Sequence, residues 1–190
     1  MHESGVYVAI GGNLPLLEVG PPAAVLAAAV RALPAAGVRV LRCSRWYRSA
    51  AEPPSAQPEY VNGVLEVGRE LAPPDLLQAL HRVEAAFDRV RTRANAARTL
   101  DLDLLAHGLE IVDDAPDLIL PHPRLHQRAF VLLPLCELAP GWRHPLLGRT
   151  AVELLGSLPA DAVAEVLPSS EQPDWTTIAG VGLQHEGRRA

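Results

Sequence analysis

The segment from residue 98 to residue 104 alternates leucine with aspartate, as Arg-Thr-Leu-Asp-Leu-Asp-Leu. A two-residue period is that of a β-strand, so the three leucines share one face of a sheet, and Asp101 and Asp103 share the other. The Cα atoms of the two aspartates then lie about 6.6 Å apart. The alternation therefore predicts a strand with one apolar face and one face that carries two carboxylates.

Two interpretations of this carboxylate pair remain open. Neighbouring carboxylates disfavour double ionisation unless a positive charge lies between them, and Mg²⁺ commonly takes one or two carboxylates together with water and substrate phosphates. The alternative is an edge strand with a solvated polar face, which is common in antiparallel sheets.

A run of arginines precedes the strand and favours the first interpretation. Arg89, Arg91, Arg93 and Arg98 fall within ten residues that contain no acidic side chain. Guanidinium groups form paired hydrogen bonds with phosphate oxygens. Arginines beside two carboxylates are therefore typical of a polyphosphate and its metal ions held from both sides, although a solvated charged loop is the alternative.

Composition limits the class of protein. The chain has 190 residues, 48% of them hydrophobic, which suits one globular domain. It has no apolar run long enough to cross a membrane and no basic, apolar start typical of a signal peptide, so we expect a cytoplasmic protein. A net charge of −5 argues against nucleic-acid binding. All basic residues are arginines, which excludes P-loop, protein-kinase and Schiff-base lysine chemistry.

Hydrophobic periodicity predicts an α+β fold. Besides the aspartate strand we expect strands at 6–10, 38–47 and 59–71, helices at 21–33, 73–89 and 125–138, a loop at 50–58, and short strands within 110–120. Pro134 should end or kink the third helix. The order β-α-β-β-α-β indicates an antiparallel sheet of the ferredoxin-like type flanked by helices. We expect one domain at 1–168 and a poorly ordered tail at 169–190.

Several motifs together carry a resemblance to a known family. In chain order they are Ala9-Ile-Gly-Gly-Asn13, Trp46-Tyr-Arg48, Gln57-Pro-Glu-Tyr-Val-Asn62, Arg82-Val-Glu84, Arg98-Thr-Leu-Asp-Leu-Asp-Leu104, Leu120-Pro-His122 and Gln127-Arg-Ala-Phe130. In this order and spacing, from about residue 7 to residue 147, the chain resembles the 6-hydroxymethyl-7,8-dihydropterin pyrophosphokinases. That family works in folate biosynthesis and transfers a pyrophosphoryl group from ATP to the pterin hydroxymethyl group, releasing AMP.

The resemblance implies a role for each matching residue. Asp101 and Asp103 match the ligands of two Mg²⁺ ions, with Asp101 also beside the pterin. The positions that match phosphate-handling residues are Arg89, Arg91 and Arg98 on a catalytic loop, and His122 and Arg128 beyond it. The arginines of that loop and the two aspartates are the expected catalytic residues. The positions that match pterin-binding residues are Tyr60, Asn62 and Phe130.

Two further positions lie next to these motifs. Asn13 is expected to shape the turn after the first strand. Glu84 either orients the loop arginines or is an exposed helix residue that pairs with Arg91.

The chain also departs from the family pattern. It has Ala94-Asn-Ala-Ala97 where the family usually carries a tryptophan and a Gly-Pro pair, and the loop is one residue shorter. Pro123 replaces an aromatic residue of many relatives, and Gly12 replaces the commoner serine, a change we expect to be mild. No departure removes a metal ligand, so we expect an active enzyme. We also expect no obligate protein partner.

Two other functions remain compatible with the sequence. A nucleotidyltransferase with the same Asp-x-Asp pair would release pyrophosphate rather than AMP. A weakened relative, lacking the loop tryptophan, would bind pterin or nucleotide without turnover.

Overall fold

The computed structural model describes residues 5–88, 97–114, 117–173 and 182–183. The strands in these ranges are Val6–Gly12 (β1), Val40–Cys43 (β2), Tyr47–Ser49 (β3), Tyr60–Val67 (β4), Asp101–His107 (β5), Val112–Asp114 (β6), Leu118–Leu120 (β7), Glu165–Val166 (β8) and Gly182–Leu183 (β9). The helices are Pro22–Ala32 (α1), Pro73–Ala86 (α2), Ala129–Leu138 (α3) and Ala151–Leu155 (α4).

The main sheet is largely antiparallel and has the strand order β5-β1-β4-β2-β9. Strand β3 pairs with β4 beside β2, and β8 pairs with β3; only the β2–β9 pairing is parallel among the strands described. Strands β6 and β7 form a separate hairpin. The prediction of an α+β fold with an antiparallel sheet is confirmed.

Helices cover both faces of this sheet. Helices α1 and α2 pack on one face, where Leu100, Leu102 and Leu104 belong to the larger apolar core. Helices α3 and α4 pack with the opposite face around a second core. Asp101 and Asp103 alternate with the leucines and so lie on the α3 face. The predicted division of strand β5 into an apolar and a carboxylate face is confirmed.

The predicted strand at 38–47 is wrong in one respect, because two strands occupy it. The break lies at Ser44, whose hydroxyl accepts a hydrogen bond from the Val64 backbone N–H at 2.9 Å and donates to the Arg45 carbonyl at 2.8 Å. The serine side chain thus competes with the regular ladder. The chain turns there, and the Trp46 side chain becomes completely buried.

The predicted third helix is also wrong at its start. Residues 125–127 form a separate 3₁₀ turn, and α3 begins at Ala129 after the extended Arg128. Pro134 lies inside α3 and does not end it. This helix is apolar on most sides, so its packing outweighs the backbone hydrogen bond that proline cannot donate.

Helix α2 ends at Ala86 rather than at Arg89. Phe87 caps it, and Asp88 has a φ of 55°, in the left-handed region that ends helices.

Residues after 168 contact the fold where the structure describes them. The Gln172 amide donates to the carbonyls of Trp46 and Leu167, and its oxygen accepts from the Trp46 N–H at 2.8 Å. The boundary at 168 stays a prediction. No helix in the described ranges has both the length and the apolar character that crossing a bilayer demands.

Replacing Gly63 by alanine is expected to destabilise the fold. A Cβ atom at Gly63 would overlap the ring of the fully buried Trp46. Overpacking of this kind costs about 1–3 kcal/mol, which urea unfolding measures. Gly141→Ala is the matched control, since nothing lies within 4 Å of its Cβ position. Equal losses in the two variants would contradict the packing argument.

Candidate active site

A row of paired residues on three adjacent strands forms the floor of the candidate site. Asp101 of β5 pairs with Gly11 of β1, which pairs on its other side with Asn62 of β4. Directly paired residues point to the same face of an antiparallel sheet. With strands about 4.8 Å apart, the Cα atoms of Asp101 and Asn62 are separated by about 10 Å. The predicted metal and pterin residues thus share one face.

Gly11 keeps the space between these side chains open. A Cβ atom there would lie 2.9 Å from the Asn62 side-chain oxygen. A residue larger than glycine would therefore displace the Asn62 amide, so the floor of the site is backbone at this point.

The two aspartates of β5 have different surroundings. The Asp101 Oδ2 atom accepts a hydrogen bond from the Arg98 Nη1 atom at 2.7 Å, and about a fifth of each side chain is exposed. Asp103, two pairs further along and opposite Ala9, accepts no hydrogen bond from the described residues. It is partly exposed and faces the positive charge of Arg128.

The carboxylate pair suits a hard divalent cation. Both groups offer oxygen ligands from one strand face, and both are partly accessible. The described part of the chain contains no group of three or more His, Cys, Asp or Glu side chains able to hold a metal. Two carboxylates fit a Mg²⁺ ion that takes its remaining ligands from water and a bound phosphate.

Glu84 supports the strand that carries the aspartates. Its side chain is 2% exposed, and its Oε1 atom accepts a hydrogen bond from the Leu102 backbone N–H at 2.7 Å. The alternative that Glu84 is an exposed helix residue is therefore wrong. Its burial has a physical reason, because β5 is an edge strand and the buried Leu102 N–H group needs an acceptor. Its predicted partner Arg91 lies outside the described residues.

Asn13 connects three segments of the site. Its Oδ1 atom accepts from the Arg98 N–H at 2.9 Å, while its Nδ2 atom donates to the Pro58 carbonyl at 3.0 Å and to the Gln57 side chain at 3.3 Å. Its own N–H donates to the Arg98 carbonyl at 2.9 Å. Asn13 therefore fixes Arg98 relative to the loop that leads into Tyr60, a larger role than shaping its own turn.

Gly12 is more constrained than the sequence predicts. A Cβ atom at this position would overlap the Thr99 backbone carbonyl. Backbone cannot yield as a side chain can, so a serine here would force residues 98–99 to move. Whether glycine in place of serine is a mild change stays a prediction, but reversing it in this chain would not be mild, because the backbone passes too close to Gly12 for a side chain.

His122 stands beside the carboxylate strand as a neutral imidazole. Its backbone N–H donates to the Leu105 carbonyl at 2.8 Å, which ties it to β5. Its Nδ1 atom accepts from the Arg124 N–H at 3.2 Å, so the proton of the neutral ring is on Nε2. Burial, with the charges of Arg128 and Arg124, lowers the pKa of His122 to about 4. At neutral pH the ring is an uncharged donor.

Replacing His122 by glutamine is expected to reduce the acid sensitivity of the fold. The lowered pKa means that the unfolded chain binds a proton between pH 6.5 and about 4 that the folded protein does not. Stability from this group is therefore complete above pH 6.5 and is lost as the pH falls towards 4, by about 3 kcal/mol. Urea unfolding of both proteins at pH 7 and pH 4.5 measures it; identical losses would contradict the assignment.

Arg128 connects the carboxylates with the aromatic side of the site. Burial and the nearby Arg124 lower its pKa, while Asp103, Glu52 and Asp101 act in the opposite direction. An arginine remains protonated at neutral pH even so. Its Cζ atom lies 5.3 Å from the centroid of the Phe130 ring, a cation–π distance.

The predicted pterin residues lie on β4 and at the start of α3, which packs on β4. The Asn62 Nδ2 atom donates to the Ser49 hydroxyl at 3.0 Å in a buried contact. The Tyr60 hydroxyl donates to the Gln57 side chain at 3.1 Å. Phe130 is partly buried against the second core. These contacts fix the Asn62 amide on β4 and place the Phe130 ring at the start of α3.

The structure brings several of the predicted residues together. Arg98, Asp101, Asp103, His122 and Arg128 act on one another through hydrogen bonds or charge. Arg89, Arg91 and Arg93 lie outside the described residues. The sequence analysis did not identify Ser49, Glu52 and Arg124 as site residues. Arg124 was detectable, because it is an arginine two positions after His122 of the Pro-His motif.

Comparisons with known proteins identify the family. The profile described as 7,8-dihydro-6-hydroxymethylpterin-pyrophosphokinase (HPPK) matches residues 7–140. Two proteins called 2-amino-4-hydroxy-6-hydroxymethyldihydropteridine pyrophosphokinase are 42% identical over 168 residues. The one from Synechocystis sp. aligns over 88% of this chain and 83% of its own length, and that from Pseudomonas aeruginosa over 87% and 98%.

A longer protein contains a similar segment. The folic acid synthesis protein fol1 of Pneumocystis carinii is 31% identical over 88% of this chain, which corresponds to 22% of that protein. The matched motifs, the shared sheet face and the extent of these alignments agree. The chain belongs to the 7,8-dihydro-6-hydroxymethylpterin-pyrophosphokinase family.

Proposed function

We propose that this protein transfers the pyrophosphoryl group of ATP to the hydroxymethyl group of 6-hydroxymethyl-7,8-dihydropterin, with Mg²⁺ held by Asp101 and Asp103. The observation that carries the proposal is the register of three strands. It sets the carboxylate pair and Asn62 on one face, with Arg98 and Arg128 beside the carboxylates.

The reaction exchanges one phosphorus–oxygen bond for another. The pterin hydroxyl oxygen bonds to the β-phosphorus of ATP, the bond from that phosphorus to the α–β bridging oxygen breaks, and AMP leaves with its electron pair. The alcohol proton passes to water or to a site carboxylate. Such a transition state is loose and asks little of a general base, so positioning and charge supply most of the catalysis.

The phosphate side is assigned to arginines and one histidine. Arg98 and Arg128 supply forked donors to phosphoryl oxygens, and the neutral His122 ring donates through Nε2. We assign Arg89 and Arg91 to the same task from the resemblance alone. When bound, Mg²⁺ neutralises charge that develops between the phosphates.

The pterin side is assigned to Tyr60, Asn62 and Phe130. A flat, neutral, amide-like ring needs an aromatic face and paired donor and acceptor groups. Ser49 accepts one hydrogen of the Asn62 amide and so fixes its orientation. This leaves the Asn62 oxygen and its other N–H group available to recognise the ring edge.

We further propose a ferredoxin-like topology, a single catalytic domain that ends near residue 168, and work in the cytoplasm without an obligate protein partner. The strand order β5-β1-β4-β2 with the crossover helices α1 and α2 supports the topology.

A product assay tests the proposed function. The protein is incubated with ATP, Mg²⁺ and the reduced pterin alcohol, and the nucleotides and phosphates are separated by chromatography. We expect AMP together with the pterin pyrophosphate. ADP would indicate transfer of a single phosphoryl group, and free pyrophosphate a nucleotidyltransferase. Tight ligand binding without any product would indicate a protein that only binds.

A further inference from the structure

The ion pair between Arg98 and Asp101 occupies a position that the proposed metal also needs. The Nη1 and Oδ2 atoms are 2.7 Å apart, and both side chains are about four-fifths buried. The two residues are three positions apart in the chain. The Arg98 N–H donates a hydrogen bond to the Asn13 Oδ1 atom, which fixes the backbone at the start of this segment. In the ligand-free protein, therefore, a guanidinium group neutralises this carboxylate.

The described charges around this pair are equal in number. Asp101 pairs with Arg98, and the carboxylates of Asp103, Glu52 and Asp101 act on Arg128 against the like charge of Arg124. His122 contributes no charge at neutral pH. A bare divalent cation would leave the site with an excess of positive charge. A cation that arrives with a triphosphate would leave no such excess, because the negative charge of the phosphates is larger than the positive charge of the ion.

We propose that Arg98 holds the place of the metal on Asp101 until the nucleotide enters, and then exchanges the carboxylate for phosphate. This rests on the proposed function. Arg98 thus does two things: it competes with a free ion for Asp101, and it becomes a phosphate ligand when the ion and the triphosphate arrive together.

The exchange couples metal binding to nucleotide binding. Free Mg²⁺ must break the Arg98–Asp101 pair and brings no anion to replace the carboxylate at the guanidinium group. With nucleotide present, the phosphate supplies that partner. By linkage, metal and nucleotide then strengthen each other's binding by the same factor. The wild-type protein should therefore bind a divalent ion poorly when no nucleotide is present.

The test measures Mn²⁺ binding without nucleotide, from the loss of the free-ion EPR signal. We expect Arg98→Gln to bind Mn²⁺ about fivefold more tightly than the wild type, equivalent to ~1 kcal/mol. Arg98→Lys keeps the charge and should stay close to wild type. Arg39→Gln is the matched control, since Arg39 pairs with Glu70 on the surface at the other end of the sheet. It should leave Mn²⁺ affinity unchanged.

A second arm adds α,β-methylene-ATP. We expect the advantage of Arg98→Gln to shrink or reverse, because the variant has lost a phosphate contact. The double variant Arg98→Gln, Asp101→Asn should lose the gain seen without nucleotide. Equal Mn²⁺ affinity of wild type and Arg98→Gln without nucleotide, with unchanged thermal unfolding, would overturn the proposal. Failure of the proposed function would show separately, as absence of AMP from the wild-type protein.

Discussion

Replacing Asp103 by alanine is expected to slow AMP release strongly and to leave the fold intact. The side chain is partly exposed and accepts no hydrogen bond from the described residues, so its removal leaves no buried donor without a partner there. It does remove one of two proposed metal ligands, and such an ion supplies several kcal/mol of transition-state stabilisation. The rate of AMP formation at saturating substrates should fall by about 10³-fold.

Circular dichroism and urea unfolding check that the variant is folded. Asp113→Ala is the matched control, because Asp113 is an exposed aspartate on a different strand, β6. It should keep wild-type turnover. If Asp103→Ala also turned over at the wild-type rate, the assignment of Asp103 as a metal ligand would be wrong.

Replacing Asn13 by alanine is expected to reduce both stability and turnover. The side chain is 2% exposed and makes hydrogen bonds to Arg98, Pro58 and Gln57. Its loss leaves buried groups without partners, which costs about 2–3 kcal/mol. It also frees Arg98 and the loop before Tyr60 to shift, and a displacement of 1 Å can cost about 10²-fold in rate.

Asn13→Asp separates these two connections. It keeps the acceptor for the Arg98 N–H and removes the donor to Pro58. We expect it to retain more turnover than Asn13→Ala at a similar loss of stability, measured by steady-state AMP formation and urea unfolding. Equal turnover of both variants would show that the Arg98 connection has no part in catalysis.

The alternation around Asp101 could be interpreted from the sequence because it is local. A two-residue period assigns side chains to faces without knowledge of the neighbouring strands. Leu100, Leu102 and Leu104 are buried on one side as expected. Their burial and the partial exposure of Asp101 need no information beyond the segment itself.

Contacts that depend on pairing between distant segments could not be predicted. The bond from Asn62 to Ser49 requires the register of β3 on β4. Glu84 is buried because α2 packs under an edge strand whose N–H group needs an acceptor. The demand for glycine at Gly12 comes from the backbone of residues 98–99. The hydrophobic periodicity of the sequence does not predict these contacts, since each depends on where two separate segments meet.

The most direct test of the central claim is a crystal structure of the protein with α,β-methylene-ATP and Mn²⁺, whose anomalous scattering marks the ion. We expect anomalous density between the phosphates and the carboxylates of Asp101 and Asp103, with Arg98 turned from Asp101 to a phosphoryl oxygen. Bound nucleotide with both carboxylates directed to solvent and free of metal would contradict the account.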